Sequence, residues 1–116
     1  MNFELRFLAV TVRDMEDVLD QTREQFGKHK YEEYKLLMRL ALSDITSDPF
    51  AHPAKHRPEI RSDARIFHLA RRRKPASHFF LYRVLDYKYI EVGRLLHDSM
   101  DLAKHLPPGF GASENS

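Results

Sequence analysis

The sequence predicts an α+β domain in which two helices pack on a β-sheet. Three observations indicate this class: apolar residues alternate near the N-terminus, recur at helical spacing over residues 13–45, and alternate again over residues 65–96. The chain has 116 residues, of which 42% are hydrophobic and 31% are charged, a balance typical of one globular domain. We therefore expect the order strand, helix, helix, three strands and a short final helix.

The first half of the chain is predicted to hold one strand and a helical hairpin. Alternation of apolar and charged residues predicts a strand over about residues 2–10. Apolar residues at helical spacing predict a helix over about residues 13–26, which Gly27 ends. A second helical pattern starts near Lys28 and ends at Ser47-Asp48-Pro49. Because one glycine separates the two patterns, we expect an antiparallel hairpin of helices.

The second half is predicted to form an antiparallel sheet. Residues 48–60 contain three prolines and no periodic pattern, so they should be a surface connection. The basic residues 71–75 end in proline and interrupt the alternating pattern. Short connections predict an antiparallel meander, with strands over residues 65–70, 78–84 and 89–96.

The C-terminal region is predicted to be a short helix followed by a tail. The carboxylate of Asp101 can accept hydrogen bonds from free N–H groups of the first turn, while Met100 and Leu102 hold the helix to the sheet. We expect a single domain over residues 1–107. Residues 108–116 are polar and small, which predicts a flexible tail.

Composition excludes several classes of site. The chain has no cysteine, which rules out disulfides and cysteine zinc sites. His52 and His56 have helical metal-ligand spacing, but Pro53 and Pro58 disfavour a helix there, so we expect no metal and no cofactor. No apolar run approaches the roughly 20 residues that span a bilayer. The N-terminal sequence has no signal-peptide pattern, so the expected location is the cytoplasm.

The charge distribution predicts an acidic partner. The formal net charge is only +2, but residues 52–74 contain eight basic and two acidic residues, a local net charge of +6. Such a segment suits either a phosphate backbone or a carboxylate-rich peptide. The alternative interpretation is a solvated loop whose arginines only add solubility.

Two C-terminal stretches resemble a known family. Residues 82–84 read Tyr-Arg-Val before the last strand, and residues 96–106 have the pattern Leu-His-x-x-Met-Asp-x-Ala-x-His-Leu. Together with the element order, they resemble the RelE/ParE superfamily of bacterial toxins over about residues 3–107, and the second pattern is similar to the ParE branch. Residues 70–77 are longer and more basic than the hairpin usual for the family, so their role does not carry over.

The resemblance implies a β-α-α-β-β-β toxin of a type II toxin–antitoxin module. ParE-type members poison DNA gyrase, and RelE-type members cut messenger RNA on the ribosome. A cognate antitoxin neutralises the toxin with a disordered acidic segment that folds on binding. We expect the antitoxin- or target-binding surface to be formed by Arg61, Arg65, Arg72, Arg73, Arg83, His97, Met100 and Asp101.

The two family activities make different demands on the residues. Metal-free RNA cleavage needs a base, an acid and cations at the developing phosphorane. The candidates here are Arg65 and Arg83 as cations, with His78 and above all His97 for proton transfer. The chain lacks the tyrosine or lysine cluster of RelE-type members near its C-terminus, which favours a non-enzymatic gyrase inhibitor over an mRNA interferase. In a non-catalytic role, His97 would order the turn that leads into the last helix.

Overall fold

The chain folds into a five-stranded sheet with a long helix on one face. A computed structural model describes residues 3–51, 55–56, 63–107 and 109–110. The elements in chain order are β1 (Glu4–Phe7), α1 (Ala9–Ser47), β2 (Lys55–His56), β3 (Ala64–His68), β4 (His78–Leu85), β5 (Tyr89–His97) and a 3-10 helix (Leu102–His105). The predicted α+β class and the three strands of the second half are confirmed.

The sheet is mixed, whereas the sequence predicted an antiparallel sheet. Its strand order is β1-β5-β4-β3-β2. The meander β3-β4-β5 is antiparallel, but β1 pairs parallel to β5, with Leu5 opposite Ile90. The long helical connection after β1 permits this parallel pairing, which a hairpin does not. The short strand β2 lies within residues 48–60, which were predicted to be a surface connection. It pairs antiparallel with β3.

Helix α1 consists of two helical segments that meet at Gly27, the residue at which the sequence predicts one helix to end and the next to begin, although an antiparallel hairpin of the two is not shown. Gly27, where the sequence predicts the first helix to end, has φ of 88° and ψ of 179°. A residue with a Cβ rarely adopts this φ, whereas glycine does so without a steric penalty. Val18 before the break and Leu37 after it belong to the same apolar cluster.

The helix begins earlier than predicted because its first turn is anchored to the sheet. Thr11 lies inside α1 and is fully buried. Its hydroxyl donates to the carbonyl oxygen of Val92 on β5 at 2.7 Å. This bond satisfies a buried hydroxyl and joins the start of α1 to a central strand.

Two apolar clusters lie on the opposite faces of the sheet. The helix-side cluster contains buried residues of α1, β3, β4 and β5, among them Leu37, Ile45, Tyr82 and Val92. The second cluster contains Ala64, Ile66, Phe79, Leu81, Leu96 and Phe110. It is covered by residues 102–107 and 109–110, which we call the C-terminal segment.

The end of this segment, Phe110, packs on the sheet, although it falls in residues 108–116, for which the sequence predicts a flexible tail. The ring of Phe110 is fully buried, and it lies against Gly93 of β5. A Cβ at Gly93 would stand 2.7 Å from Cε1 of Phe110, closer than non-bonded carbon atoms approach. The ring therefore fits only because residue 93 has no side chain. Residues 111–116 lie outside the described residues.

Candidate functional site

Arg65 and Arg83, two members of the candidate nuclease set, lie on opposite faces of the sheet. Arg65 is paired with Tyr82 across β3 and β4, and Tyr82 belongs to the helix-side cluster. Since successive residues of a strand point to opposite faces, Arg83 points to the face under the C-terminal segment. The sheet therefore does not bring these two guanidinium groups together on one phosphate.

Arg83 is engaged in intramolecular contacts. Its Nε donates to Oε1 of Glu91 at 2.9 Å, and its Nη1 donates to the carbonyl oxygen of Gly109 at 2.7 Å. Its guanidinium carbon lies 4.9 Å from the ring centroid of Phe110. The side chain is only 14% exposed. In this structure Arg83 holds the C-terminal segment to the sheet.

Arg65 is half-buried and stands near an exposed aromatic ring. Its guanidinium carbon lies 5.1 Å from the ring centroid of Phe50, which is 46% exposed. A guanidinium at this distance gains from the ring quadrupole. Arg65 thus remains a candidate for contact with a carboxylate of a partner. Arg61, the other arginine predicted at this end of the sheet, lies outside the described residues.

His97 is fixed by the turn that follows β5. Its Nδ1 accepts the backbone N–H of Ser99 at 3.0 Å and lies 2.8 Å from Oγ of the same residue. A backbone N–H is always a donor, so Nδ1 must be the acceptor and the neutral ring carries its proton on Nε2. The ring therefore has no free lone pair to act as a base. A hydrogen bond of this kind is expected if His97 has the non-catalytic role of ordering the turn that leads into the last helix.

A second histidine stands beside His97, and the sequence did not indicate their contact. His78 is paired with His97 across β4 and β5, and the ring centroids are 5.0 Å apart. Nδ1 of His78 lies 2.6 Å from the hydroxyl oxygen of Tyr34 on α1. Burial lowers the pKa of His78, the neighbouring charge of His97 lowers it further, and Asp98 opposes the shift. Burial raises the pKa of the Tyr34 phenol.

These rings line an open cleft of about 920 Å³ between α1 and one end of the sheet. Its apolar surface includes Val18 and Leu95, together with the exposed side chains of Phe26 and Met100. Met100, a predicted binding residue, is 45% exposed and therefore accessible to a partner.

Asp101 has the helix-capping role that was predicted from its position. It precedes the 3-10 helix, and its Oδ1 accepts the backbone N–H of Ala103 at 3.2 Å. Lys104 and His105 lie in the last turn, where cations are favoured by the helix dipole. The capping bond accounts for an aspartate at this position, and its exposed side chain stays a predicted member of the binding surface.

The basic run between β3 and β4 divides into two engaged and two exposed cations. Arg71 bonds to the carboxylate of Asp44, and Nζ of Lys74 lies 3.4 Å from Oε2 of Glu33, both on α1. Arg72 and Arg73 are exposed and make no ion pair within the part of the chain that the structure describes. These two predicted binding residues are therefore accessible to an anionic partner.

Among the described residues, no group of three or more His, Cys, Asp or Glu side chains is placed to hold a metal ion. None of the described helices has the length and apolar character needed to cross a membrane.

Comparison with known proteins identifies the fold. No protein-family model matches the chain, and no curated protein has a significant match to its sequence. A chain of the chromosomal ParDE TA system from P. aeruginosa is similar in structure, with a TM-score of 0.65 at 16% identity, over 82% of this chain and 95% of that one. A chain of the toxin–antitoxin complex RelBE2 from Mycobacterium tuberculosis has a TM-score of 0.56 at 17% identity, over 84% and 99% of the two chains. The fold is RelE/ParE-like. At these identities the likeness establishes the architecture that the sequence resemblance predicted.

Proposed function

We propose that the chain is the toxin of a type II toxin–antitoxin pair and that it inhibits DNA gyrase by binding rather than by cutting RNA. The fold shared with chains of ParDE and RelBE2 supports the toxin assignment. The single observation that favours binding over cleavage is the position of Arg65 and Arg83 on opposite faces of the sheet. In this proposal the protein acts in the cytoplasm and needs no metal or cofactor.

The proposed neutralising partner is an antitoxin with an acidic segment that folds on binding. The exposed members of the predicted binding set are Arg72, Arg73, Met100 and Asp101, and Arg65 is partly exposed beside the ring of Phe50. Carboxylates of the antitoxin would pair with the arginines, and its apolar side chains would pack beside them.

An mRNA interferase is the second candidate, and one observation favours it. His78 and His97 stand at the edge of an open cleft, and two imidazoles so placed are a common source of acid and base near neutral pH. For His97 to act as a base, its hydrogen bond from Ser99 would first have to break. This requirement makes the interferase the less favoured of the two functions.

Induced expression in bacteria without an antitoxin separates these functions. We expect growth arrest in which DNA synthesis stops first while translation continues, and gyrase–DNA cleavage complexes accumulate. In the variant His97→Ala, any growth arrest that remains should still begin with DNA synthesis and leave translation running. An immediate halt of translation, with cut transcripts on ribosomes that His97→Ala abolishes, would establish the interferase instead. The absence of any growth arrest would refute both.

The antitoxin part of the proposal is tested with the protein encoded next to this chain's gene. We expect Arg65→Glu and Arg61→Glu each to weaken the complex by about tenfold, since each variant places a like charge against a carboxylate. Arg39→Glu, which reverses an exposed charge on α1, is the matched control and should bind normally. Equal affinity of all three variants in a calorimetric titration would contradict the predicted role of Arg65 and Arg61.

A further inference from the structure

Strand β1 stands at one edge of the sheet. The strand order is β1-β5-β4-β3-β2, so β1 pairs with β5 on its inner side. On its outer side, the residues that the structure describes form no further strand. An edge strand presents N–H and C=O groups that can pair with the backbone of another chain. The outer side of β1 is therefore a surface that fits a further strand.

The backbone bonds on the inner side determine which residues of β1 point outward. The N–H groups of Glu4 and Leu8 donate to carbonyl oxygens of the neighbouring segment that contains β5, at 3.0 and 3.3 Å. In a parallel pair, alternate residues of a strand bond to the same neighbour, so the even-numbered residues of β1 face β5. The N–H and C=O groups of Leu5 and Phe7 consequently point to the open edge.

The side chains of β1 alternate between an apolar and a charged face. Phe3 and Leu5 pack against the helix-side cluster. By alternation Phe7 points to the same face, where its side chain is 37% exposed. Glu4 and Arg6 point to the other face. Nε of Arg6 lies 3.4 Å from Oε2 of Glu4, and these side chains are 55% and 64% exposed, so both charges are accessible to a neighbouring strand.

We propose that β1 pairs antiparallel with β1 of a second copy of this chain, about a two-fold axis at Leu5. In this register Leu5 lies opposite Leu5 of the second copy. On the charged face, Glu4 lies opposite Arg6 of the second copy, and the symmetry repeats this pair. On the apolar face, Phe3 lies opposite Phe7. Each side chain thus meets one of complementary character, and the two-fold symmetry closes the assembly as a dimer.

The backbone supports the same register. Opposite residues of an antiparallel pair exchange hydrogen bonds only when both turn their N–H and C=O groups toward the partner strand, and Leu5 fulfils this condition. A shift by one residue places Leu5 opposite Arg6 of the second copy, whose backbone groups are turned to β5. The shift also sets an apolar side chain against a charged one. Because charge and backbone are both self-complementary, a second copy is favoured over a strand of another protein.

The paired strands are short, so the dimer should be weak. Each strand contributes four residues, and such a contact buries much less than the about 1,600 Å² of a standard interface. We expect association that depends on protein concentration in sedimentation velocity, with a Kd on the order of 10–100 μM. The pairing does not depend on the proposed function. A chain that dimerises through β1 but does not arrest growth would refute the toxin assignment alone.

Charge reversal tests the pairing of Glu4 with Arg6. Arg6→Glu and Glu4→Arg each set like charges opposite one another, so each should weaken dimerisation by about tenfold or more. Mixed in equal amounts, the two variants restore both pairs of opposite charge and should associate about as tightly as the original chain does with itself. Such a rescue also shows that both variants are folded. Arg39→Glu, which reverses an exposed charge on α1, is the matched control and should dimerise normally.

A cysteine at Leu5 tests the position of the axis, because the chain has no cysteine of its own. Opposite residues of a hydrogen-bonded antiparallel pair have Cα atoms about 5.5 Å apart, a distance that a disulfide spans. Leu5→Cys should therefore form disulfide-linked dimers under mild oxidation. Arg39→Cys, at an exposed position of α1, is the control and should form linked dimers much more slowly.

Three results would overturn the proposed dimer. The first is that the original chain stays monomeric at about 500 μM, well above the expected Kd. The second is that the mixture of Arg6→Glu and Glu4→Arg associates no better than either variant alone, which would show that these charges do not meet. The third is that Leu5→Cys forms linked dimers no faster than Arg39→Cys, which would place any contact between copies elsewhere.

Discussion

The two faces of the sheet are covered in different ways. On one face, α1 contributes the buried side chains Leu37, Met38, Ala41 and Ile45 to the core. On the other face, the buried apolar side chains of the described part of the C-terminal segment are Pro107 and Phe110, with Leu102 and Leu106 partly buried beside them. The helical residues distribute their stabilising contacts over several turns, whereas the C-terminal segment concentrates them near its end, with Phe110 as the largest buried side chain.

Helix α1 and the C-terminal segment should respond differently to the loss of one side chain. Loss of one side chain from α1 leaves the others in place, so that cover remains attached. Loss of the Phe110 ring also weakens its neighbouring bond, because Arg83 contacts both the ring and the carbonyl of Gly109. The C-terminal segment should therefore detach as a unit.

The largest expected effect comes from Phe110→Ala. Truncation of a fully buried phenylalanine lowers the free energy of unfolding by about 3–4 kcal/mol, measured by urea denaturation. Detachment of the segment should also expose the bond after Lys104, so trypsin should cleave there faster than in the original chain. Phe26→Ala, which removes a ring that is 66% exposed, is the control and should change stability by less than about 0.5 kcal/mol.

The second largest expected loss of stability concerns Arg94 of β5, whose hydrogen bonds reach both α1 and the C-terminal segment. Its Nε and Nη2 donate to the carboxylate of Asp14 on α1 at 2.8 and 2.9 Å, and its Nη1 donates to the carbonyl of His105 at 3.1 Å. Asp14 also accepts the N–H of Leu95. Asp14→Ala removes the acceptor of Nε and Nη2 of Arg94 and of the N–H of Leu95. This substitution should lower the free energy of unfolding by about 2–3 kcal/mol. Asp17→Ala, an exposed carboxylate three residues later, should have almost no effect in the same denaturation experiment.

A smaller effect is expected where the ring meets the sheet. Gly93→Ala forces the Phe110 ring to move, which should lower the free energy of unfolding by about 1–2 kcal/mol. In the Phe110→Ala background the same substitution should have a smaller effect, because the ring is gone and Cγ of Pro107, 3.0 Å from the Cβ position, is the close atom that remains. Gly27→Ala is the contrasting variant, since no atom lies within 4 Å of its Cβ position and only its backbone φ is strained. Its effect should be the same in both backgrounds, and additive effects for Gly93→Ala would contradict the proposed contact.

Some parts of the fold follow from local sequence patterns and were predictable, whereas others depend on contacts between residues far apart in the chain. The break of α1 at Gly27 and strands β3, β4 and β5 follow from local patterns of period or from one conformationally special residue. The burial of Phe110 does not, because its partner Gly93 lies seventeen residues earlier in a different element. Nothing near Phe110 in the sequence distinguishes it from a residue of a frayed tail. The parallel pairing of β1 likewise depends on an edge that only the whole sheet defines.

The arrangement of the candidate site residues also depends on strand register, which local sequence patterns do not specify. Alternation along β4 places Tyr82 and Arg83 on opposite faces, but only the register of β3 shows that Arg65 accompanies Tyr82. The contact of His78 with His97 depends on the register of β4 and β5, which shifts between Leu81 and Tyr82. A single sequence does not specify such a shift. Residue types for chemistry could therefore be predicted, and their juxtaposition could not.

The smallest expected effect concerns pH and lies on the helix side of the sheet. Burial holds the pKa of His78 below its ordinary value, so in the pH range below about 6.5 the unfolded chain binds a proton that the folded chain resists. The free energy of unfolding should therefore fall as pH decreases from about 7.5 through 6.5, and it should level off below the pKa of the folded state. The slope is a fraction of the about 1.4 kcal/mol per pH unit that one fully coupled proton contributes.

His78→Asn keeps an acceptor for the hydroxyl of Tyr34 but cannot take up a proton, so it should flatten this fall. His29→Asn, at an exposed position of α1, is the matched control and should retain the full slope. Denaturation curves at pH 7.5, 6.5 and 5.5 compare the three proteins. If His78→Asn loses stability with pH as steeply as His29→Asn, the half-buried imidazole of His78 is not the group that titrates. The pH dependence must then come from other groups, and the interior beneath α1 would be less sensitive to protonation than its geometry indicates.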